Sequence, residues 1–174
     1  IDDEVAGRLA AADRRRLRVE LARMVTAAAR HEGRADLGNT YFLDMYAAYE
    51  SLSPKMRAFL DDLEGVNDVS LISARRDPAI LEAFKRLNPP VVHPAVRVHP
   101  ESGRRALYVN DRVRTFVGMS DAESKPIIRF LCEHSQQPRF VYRHRWEPNM
   151  LVMWDNRSVL HRATGGYEGH RREL

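Results

Sequence analysis

Positions 150–154, MLVMW, are five apolar residues in a row, closed in front by Pro148-Asn149 and behind by Asp155-Asn156. A short continuous apolar run between turn signals reads as a buried strand that leaves a core for a turn. That turn leads to His161 and, eleven residues further on, to Arg172. An imidazole suits iron, copper or zinc, and a guanidinium forks onto a carboxylate, so such a pair can hold a metal and an anion together. A histidine near a strand end also serves as a purely structural residue, and spacing alone does not choose between the two.

With 174 residues and 44% hydrophobic content, the chain supports one domain with a real core. Its formal charge of +4 sets 28 basic against 24 acidic residues with no sustained block of one sign, which suits anionic small molecules as well as it suits nucleic acid. The single cysteine, Cys132, excludes an internal disulfide framework and fits a reducing compartment; placed in a helical pattern, it reads as a buried structural thiol. No apolar run approaches the ~18 residues of a membrane helix and no signal-peptide core opens the chain, so a soluble, cytoplasmic protein is expected.

Leu17, Leu21, Met24, Val25 and Ala28 share one helical face, so residues 14–28 read as an amphipathic helix that His31-Glu32-Gly33 ends. Asp44 caps the helix MYAAYESL, and Ser53-Pro54 starts another with an apolar stripe of Met56, Phe59, Leu60 and Leu63. Residues 65–76 read as a polar, turn-rich loop, and Asp77-Pro78 begins a short helix that Asn88-Pro89-Pro90 stops. Residues 91–110 read as a hairpin about a Pro-Glu-Ser-Gly turn. Ser120 and Glu123 form a capping box for a helix closed by His134. Alternation over 139–146 puts Phe140, Tyr142, His144 and Trp146 on one face of a strand that pairs with 150–154. Its Arg143-His144-Arg145-Trp146 stretch has the basic and aromatic mix that stacks bases, but the alternation sends half of those side chains inward and argues against a nucleic-acid role. His93 and His99 each precede a proline and flank a strand, which favours structural roles.

WDNRSVLHRAT followed by HRREL resembles the C-terminal signature of the TauD/TfdA family of Fe(II)- and 2-oxoglutarate-dependent dioxygenases, and VVHPAVRVHPESGRRALYV resembles a second pattern of that family. The resemblance covers residues 38–174 and leaves 1–37 as an N-terminal helical segment atypical for the family. It implies an α+β fold: an incomplete double-stranded β-helix (jelly-roll, cupin-like) core with flanking helices. It also implies that His161 is the distal iron ligand and that Arg172 clamps the distal carboxylate of 2-oxoglutarate, with Arg171 a weaker substitute. Thr40, in the turn Gly38-Asn39-Thr40, is then the hydroxyl donor to the same carboxylate, while Trp154 and Asn156 build the turn that aims His161. The stretch 65–76 becomes a lid that helps choose the substrate. The implied cofactors are Fe(II) and the co-substrate 2-oxoglutarate. The implied partners are O2 and a small anionic organic substrate (a sulfonate, sulfate ester, or aryloxy or carboxylic acid), with no nucleic acid and no membrane, and the family often forms homo-oligomers.

In that family two of three iron ligands come from an H-x-D motif upstream of the Gly-Asn-Thr turn. This chain has no H-x-D; His31 lies nine residues before Thr40 and is followed by Glu32-Gly33. A single imidazole holds iron far more weakly than two imidazoles and a carboxylate. Two readings therefore stand side by side: a dioxygenase, or a catalytically inactive remnant that keeps the fold without a complete metal site.

Overall fold

Strand β1 (Met24–His31) lies where the apolar spacing predicts the end of a helix. The computed structural model describes residues 24–31, 38–73, 82, 85–147, 150–164 and 172–173, with backbone alone for 24–31, 72–73 and 172–173. The first part of the predicted helix, 14–23, lies outside the described residues, as do 77–81, 83 and 84 of the helix expected after Asp77-Pro78. The strand wins because its residues find partners in two other strands, 24–29 in β9 and 30–31 in β11. Its register with β9 (Met150–Asp155) is antiparallel, running from Met24↔Asp155 to Ala29↔Met150, and β11 (Arg172–Glu173) adds Arg30↔Glu173 and His31↔Arg172. Two neighbouring strands satisfy the backbone groups that a helix would satisfy internally, so tertiary partners override a weak local preference.

The chain divides into two compact units, residues 1–41 with 143–174, and residues 42–142. In the first, the sheet order is β11–β1–β9. A second sheet has the order β10–β2–β8, from β10 (Val159–Ala163), β2 (Thr40–Asp44) and β8 (Val141–His144). The expected pairing of 139–146 with 150–154 is therefore corrected: β8 and β9 belong to different sheets. The apolar run 150–154 is also not buried throughout. Leu151 is 60% and Met153 54% exposed while Met150, Val152 and Trp154 are half-buried, the period-two pattern of a strand covered on one face only.

The second unit opens on α1 (Met45–Glu50), where Asp44 caps as expected, its Oδ1 accepting from the Tyr46 and Ala47 amides at 2.9 and 3.0 Å. Ser53 caps α2 (Pro54–Asp61), but of the predicted stripe only Leu60 is buried and Phe59 lies largely in solvent. Residues 64–67 are not loop: β3 (Glu64–Asn67) pairs with both β4 (Val91–Pro94) and β7 (Val113–Phe116). Gly65 lets β3 pack closely on β7: a Cβ there would meet Val113 Cγ1 at 3.1 Å, so that side chain would have to shift by a few tenths of an ångström. A 3-10 turn follows at Val69–Ser73, and 74–76 lie outside the described residues. The predicted 91–110 hairpin is shorter than expected, because β4 joins β3 and only β5 (Val96–Val98) and β6 (Arg105–Leu107) pair across the Pro-Glu-Ser-Gly turn. That turn is held by His99, whose Nδ1 accepts from the Ser102 amide and whose carbonyl accepts from Gly103.

Helix α3 (Asp121–Ser135) starts on the predicted capping box, with the Ser120 amide donating to Glu123 and the Glu123 amide donating to Ser120 Oγ. It buries Ile128 and Leu131, and His134 near its end donates through Nε2 to the Ala48 carbonyl at 2.9 Å. Cys132 is partly buried beside it, and desolvation pushes its thiol up to about 11, which leaves it an inert structural group. Ser120→Ala is expected to lower the unfolding free energy by about 1 kcal/mol, read as a lower urea midpoint at unchanged m-value. Among the described residues no helix is long and apolar enough to cross a membrane.

Candidate functional site

The three residues singled out in the sequence, Thr40, His161 and Arg172, all belong to the first unit and sit on β2, β10 and β11. Gly38 has φ of 66°, in the left-handed region that glycine occupies without strain, and so lets the chain turn into β2. The Asn39 carbonyl accepts from both the amide and the hydroxyl of Thr164, at 2.8 and 2.9 Å, which ties this turn to the chain just after β10. Neighbouring strands carry the link onward, since Arg162 of β10 and Arg143 of β8 lie over the Tyr41 ring of β2 at 5.9 and 6.0 Å.

Thr40 is only 5% exposed, and its Oγ1 accepts a hydrogen bond from the Trp146 indole at 3.0 Å. A threonine hydroxyl has one proton and two lone pairs, and an indole N–H can only donate. With the indole on a lone pair, the hydroxyl has its proton left to give. Alternation in the sequence puts Trp146 only on one face of a strand; a buried tryptophan needs an acceptor for its N–H, but nothing local tells which residue supplies it.

His144 packs edge-on against Trp146 with ring centroids 4.6 Å apart. Phe140, His144 and Trp146 are buried as the alternation predicts, whereas Tyr142 is 64% exposed and departs from it. Burial pushes the His144 imidazole below its ordinary value of 6.5, with Glu147 pulling weakly the other way. The folded state therefore prefers neutral His144: its contribution is present above pH 6.5 and is lost as pH falls through the lower folded value. Thermal melts are expected to show falling stability below pH 6.5, and His144→Phe is expected to flatten part of that dependence.

WDNR builds a turn, as expected. The Trp154 indole donates to Asn156 Oδ1 at 2.9 Å, the Asp155 carboxylate accepts from the Arg157 amide at 2.8 Å and from its guanidinium, and the Ser158 amide closes onto the Asp155 carbonyl. The turn delivers β10, where His161 is exposed with its ring 5.0 Å from that of Trp154. Arg172 stands opposite His31, and in β1 positions 25, 27, 29 and 31 face 154, 152, 150 and 172. Directly paired positions share a sheet face, so position 172 falls on the face of Met150, Val152 and Trp154, the more covered one. Arg171 lies outside the described residues.

Among the described residues no three His, Cys, Asp or Glu side chains come together as a metal-holding group. The chain has no H-x-D, and the described residues near His161 do not fit a three-ligand iron centre. Thr40 and Arg172 stand on strands of different sheets, β2 and β11.

The chain is thus a mixed helix-and-sheet protein whose candidate residues are carried by the strands of one unit. A family model described as taurine catabolism dioxygenase TauD, TfdA family, matches residues 23–174, and the chain belongs to that family. It is 40% identical over 141 residues to an alpha-ketoglutarate-dependent 2,4-dichlorophenoxyacetate dioxygenase from Cupriavidus pinatubonensis, covering 79% of this chain and 48% of the relative. An alpha-ketoglutarate-dependent sulfate ester dioxygenase from Pseudomonas putida is 34% identical, covering 75% of this chain and 46% of its own. Among solved structures, the crystal structure of AAD-2 in complex with Mn(II) and N-oxalylglycine superposes with a TM-score of 0.77 at 31% identity, over 87% of this chain and 60% of that one. The chain spans about half the length of the curated relatives it matches (48% and 46%).

Proposed function

We propose that this chain anchors 2-oxoglutarate by its distal carboxylate, through Thr40 and Arg172, in a dioxygenase that oxidises a small anionic organic substrate while decarboxylating 2-oxoglutarate to succinate and CO2. The observation that carries the reading is the Thr40 hydroxyl, whose oxygen already accepts the Trp146 indole, so that its proton rather than its lone pair is what it can offer a carboxylate. The Arg172 guanidinium provides the charged fork, and its register on the covered face of the first sheet supports that role. Family relatives acting on an aryloxy acid and on sulfate esters support a sulfonate, sulfate ester, or aryloxy or carboxylic acid as substrate class. The alternation of β9, β10 and β11 between two three-stranded sheets supports an incomplete jelly-roll core, in which the full arrangement has eight strands. The single cysteine supports a cytoplasmic setting.

His161 is the one residue proposed for iron, and among the described residues no donor set closes a centre around it. This favours a second reading, a remnant that retains the co-substrate pocket without turnover. Anaerobic titration of Fe(II) into the chain with 2-oxoglutarate separates the two. The expected result is 2-oxoglutarate binding by calorimetry without the visible charge-transfer band of an iron-chelated keto acid. A band that disappears in His161→Ala overturns the incomplete-centre assignment, and a folded chain that does not bind 2-oxoglutarate overturns the proposal itself.

A further inference from the structure

We infer that Trp146 is a positioning residue that commits Thr40 to the role of hydrogen-bond donor and so selects a carboxylate at this end of the pocket. This rests on the reading of Thr40 as an anchor for 2-oxoglutarate and adds the residue that makes the anchor directional.

A threonine hydroxyl rotates about its C–O bond and can present either its proton or a lone pair to a ligand, so an unconstrained Thr40 would not discriminate between acceptors and donors. The indole removes that choice. Trp146 is 2% exposed and Thr40 5%, and the 3.0 Å bond between them spans 106 residues of sequence. In so dry a place an N–H facing an O–H proton would be repulsive and would leave both donors unsatisfied. The hydroxyl proton therefore turns away from the indole and is the group Thr40 has to offer a ligand.

Both ends of the bond are held. The Trp146 ring is braced edge-on by His144 at 4.6 Å, and the backbone just before Thr40 is pinned by the two hydrogen bonds from Thr164 to the Asn39 carbonyl. A bound carboxylate would complete a chain running from indole N–H to hydroxyl to carboxylate, in which each bond polarises the next.

The test is a double-mutant cycle on 2-oxoglutarate affinity, measured by calorimetry on the metal-free full chain. Thr40→Val deletes the donor and is expected to weaken binding about tenfold, the effect of one hydrogen bond to a charged group. Trp146→Phe keeps an aromatic ring but deletes the N–H, and a weakening of about fivefold is expected. The double variant should bind no worse than Thr40→Val alone, because the indole acts only through the hydroxyl. Thr40→Ser should restore most of the affinity.

A readout on the unaltered protein covers the case in which Trp146→Phe does not fold. The chain's two tryptophans give two indole N–H resonances, assigned through Trp154→Phe. On adding 2-oxoglutarate the Trp146 resonance should move downfield in the wild type and in Thr40→Ser and stay still in Thr40→Val. If Thr40→Val weakens binding while Trp146→Phe does not and the resonance is unmoved, the positioning role is wrong and Thr40 stands alone. Multiplicative effects in the double variant would also overturn it. If neither variant changes affinity but Arg172→Ala does, the anchor role of Thr40 falls, and this inference falls with it.

Discussion

Arg172→Ala is expected to weaken 2-oxoglutarate binding by about a hundredfold, the largest functional effect of any single substitution in this chain. A guanidinium meets a carboxylate with two parallel charge-assisted hydrogen bonds, and truncating it leaves the anion without its counter-charge. Losing one partner of such a pair costs roughly 2–5 kcal/mol, and each 1.4 kcal/mol is tenfold in affinity. Arg172→Lys keeps the charge but loses the fork, so it should fall between wild type and alanine. Calorimetry at two ionic strengths checks this. Weakening by less than about threefold in Arg172→Ala would remove the residue from the anchor.

The largest effect on stability is expected at Phe116. This side chain is buried at the end of β7, and its amide donates to Ser124 Oγ of α3 at 3.0 Å, so strand and helix are locked at one point. Phe116→Ala leaves a cavity where a ring was and should cost about 3–5 kcal/mol, read from urea unfolding. A whole domain is stable by about 5–15 kcal/mol, so the variant should sit close to unfolding at moderate temperature. A loss below about 1 kcal/mol would mean that the surrounding side chains collapse into the space.

Helix starts were the most legible part of the fold. Asp44, Ser53-Pro54 and the Ser120/Glu123 box each act within three residues of their own position, and all three cap helices as read. Readings that depended on a distant partner fared worse. Residues 24–28 have helical spacing yet lie in a strand, and 64–67 look like polar loop yet lie between two strands. The Met56, Phe59, Leu60 and Leu63 stripe held only in part for a related reason: spacing identifies a face but not what covers it, and Phe59 is exposed while Leu60 is buried and Met56 and Leu63 half-buried. Of the candidate site, the turn from Trp154 to Arg157 could be read directly, because Asn156 and Arg157 bond to residues two positions away.

By itself the sequence determined the chain's family, through the WDNR, histidine and HRREL signatures, and it determined the absence of an H-x-D. It also set the helix caps and the residues worth testing, since spacing and residue type are properties of the chain alone. Only the tertiary structure decided which strands pair, that β8 and β9 go to separate sheets, and that position 172 stands in register with His31 of β1. It alone joined Trp146 to Thr40 across 106 residues. The physical reason is the range of the forces involved: caps and turns close within a few residues, whereas ladder hydrogen bonds and buried polar pairs are satisfied by whichever partner the folded chain brings near.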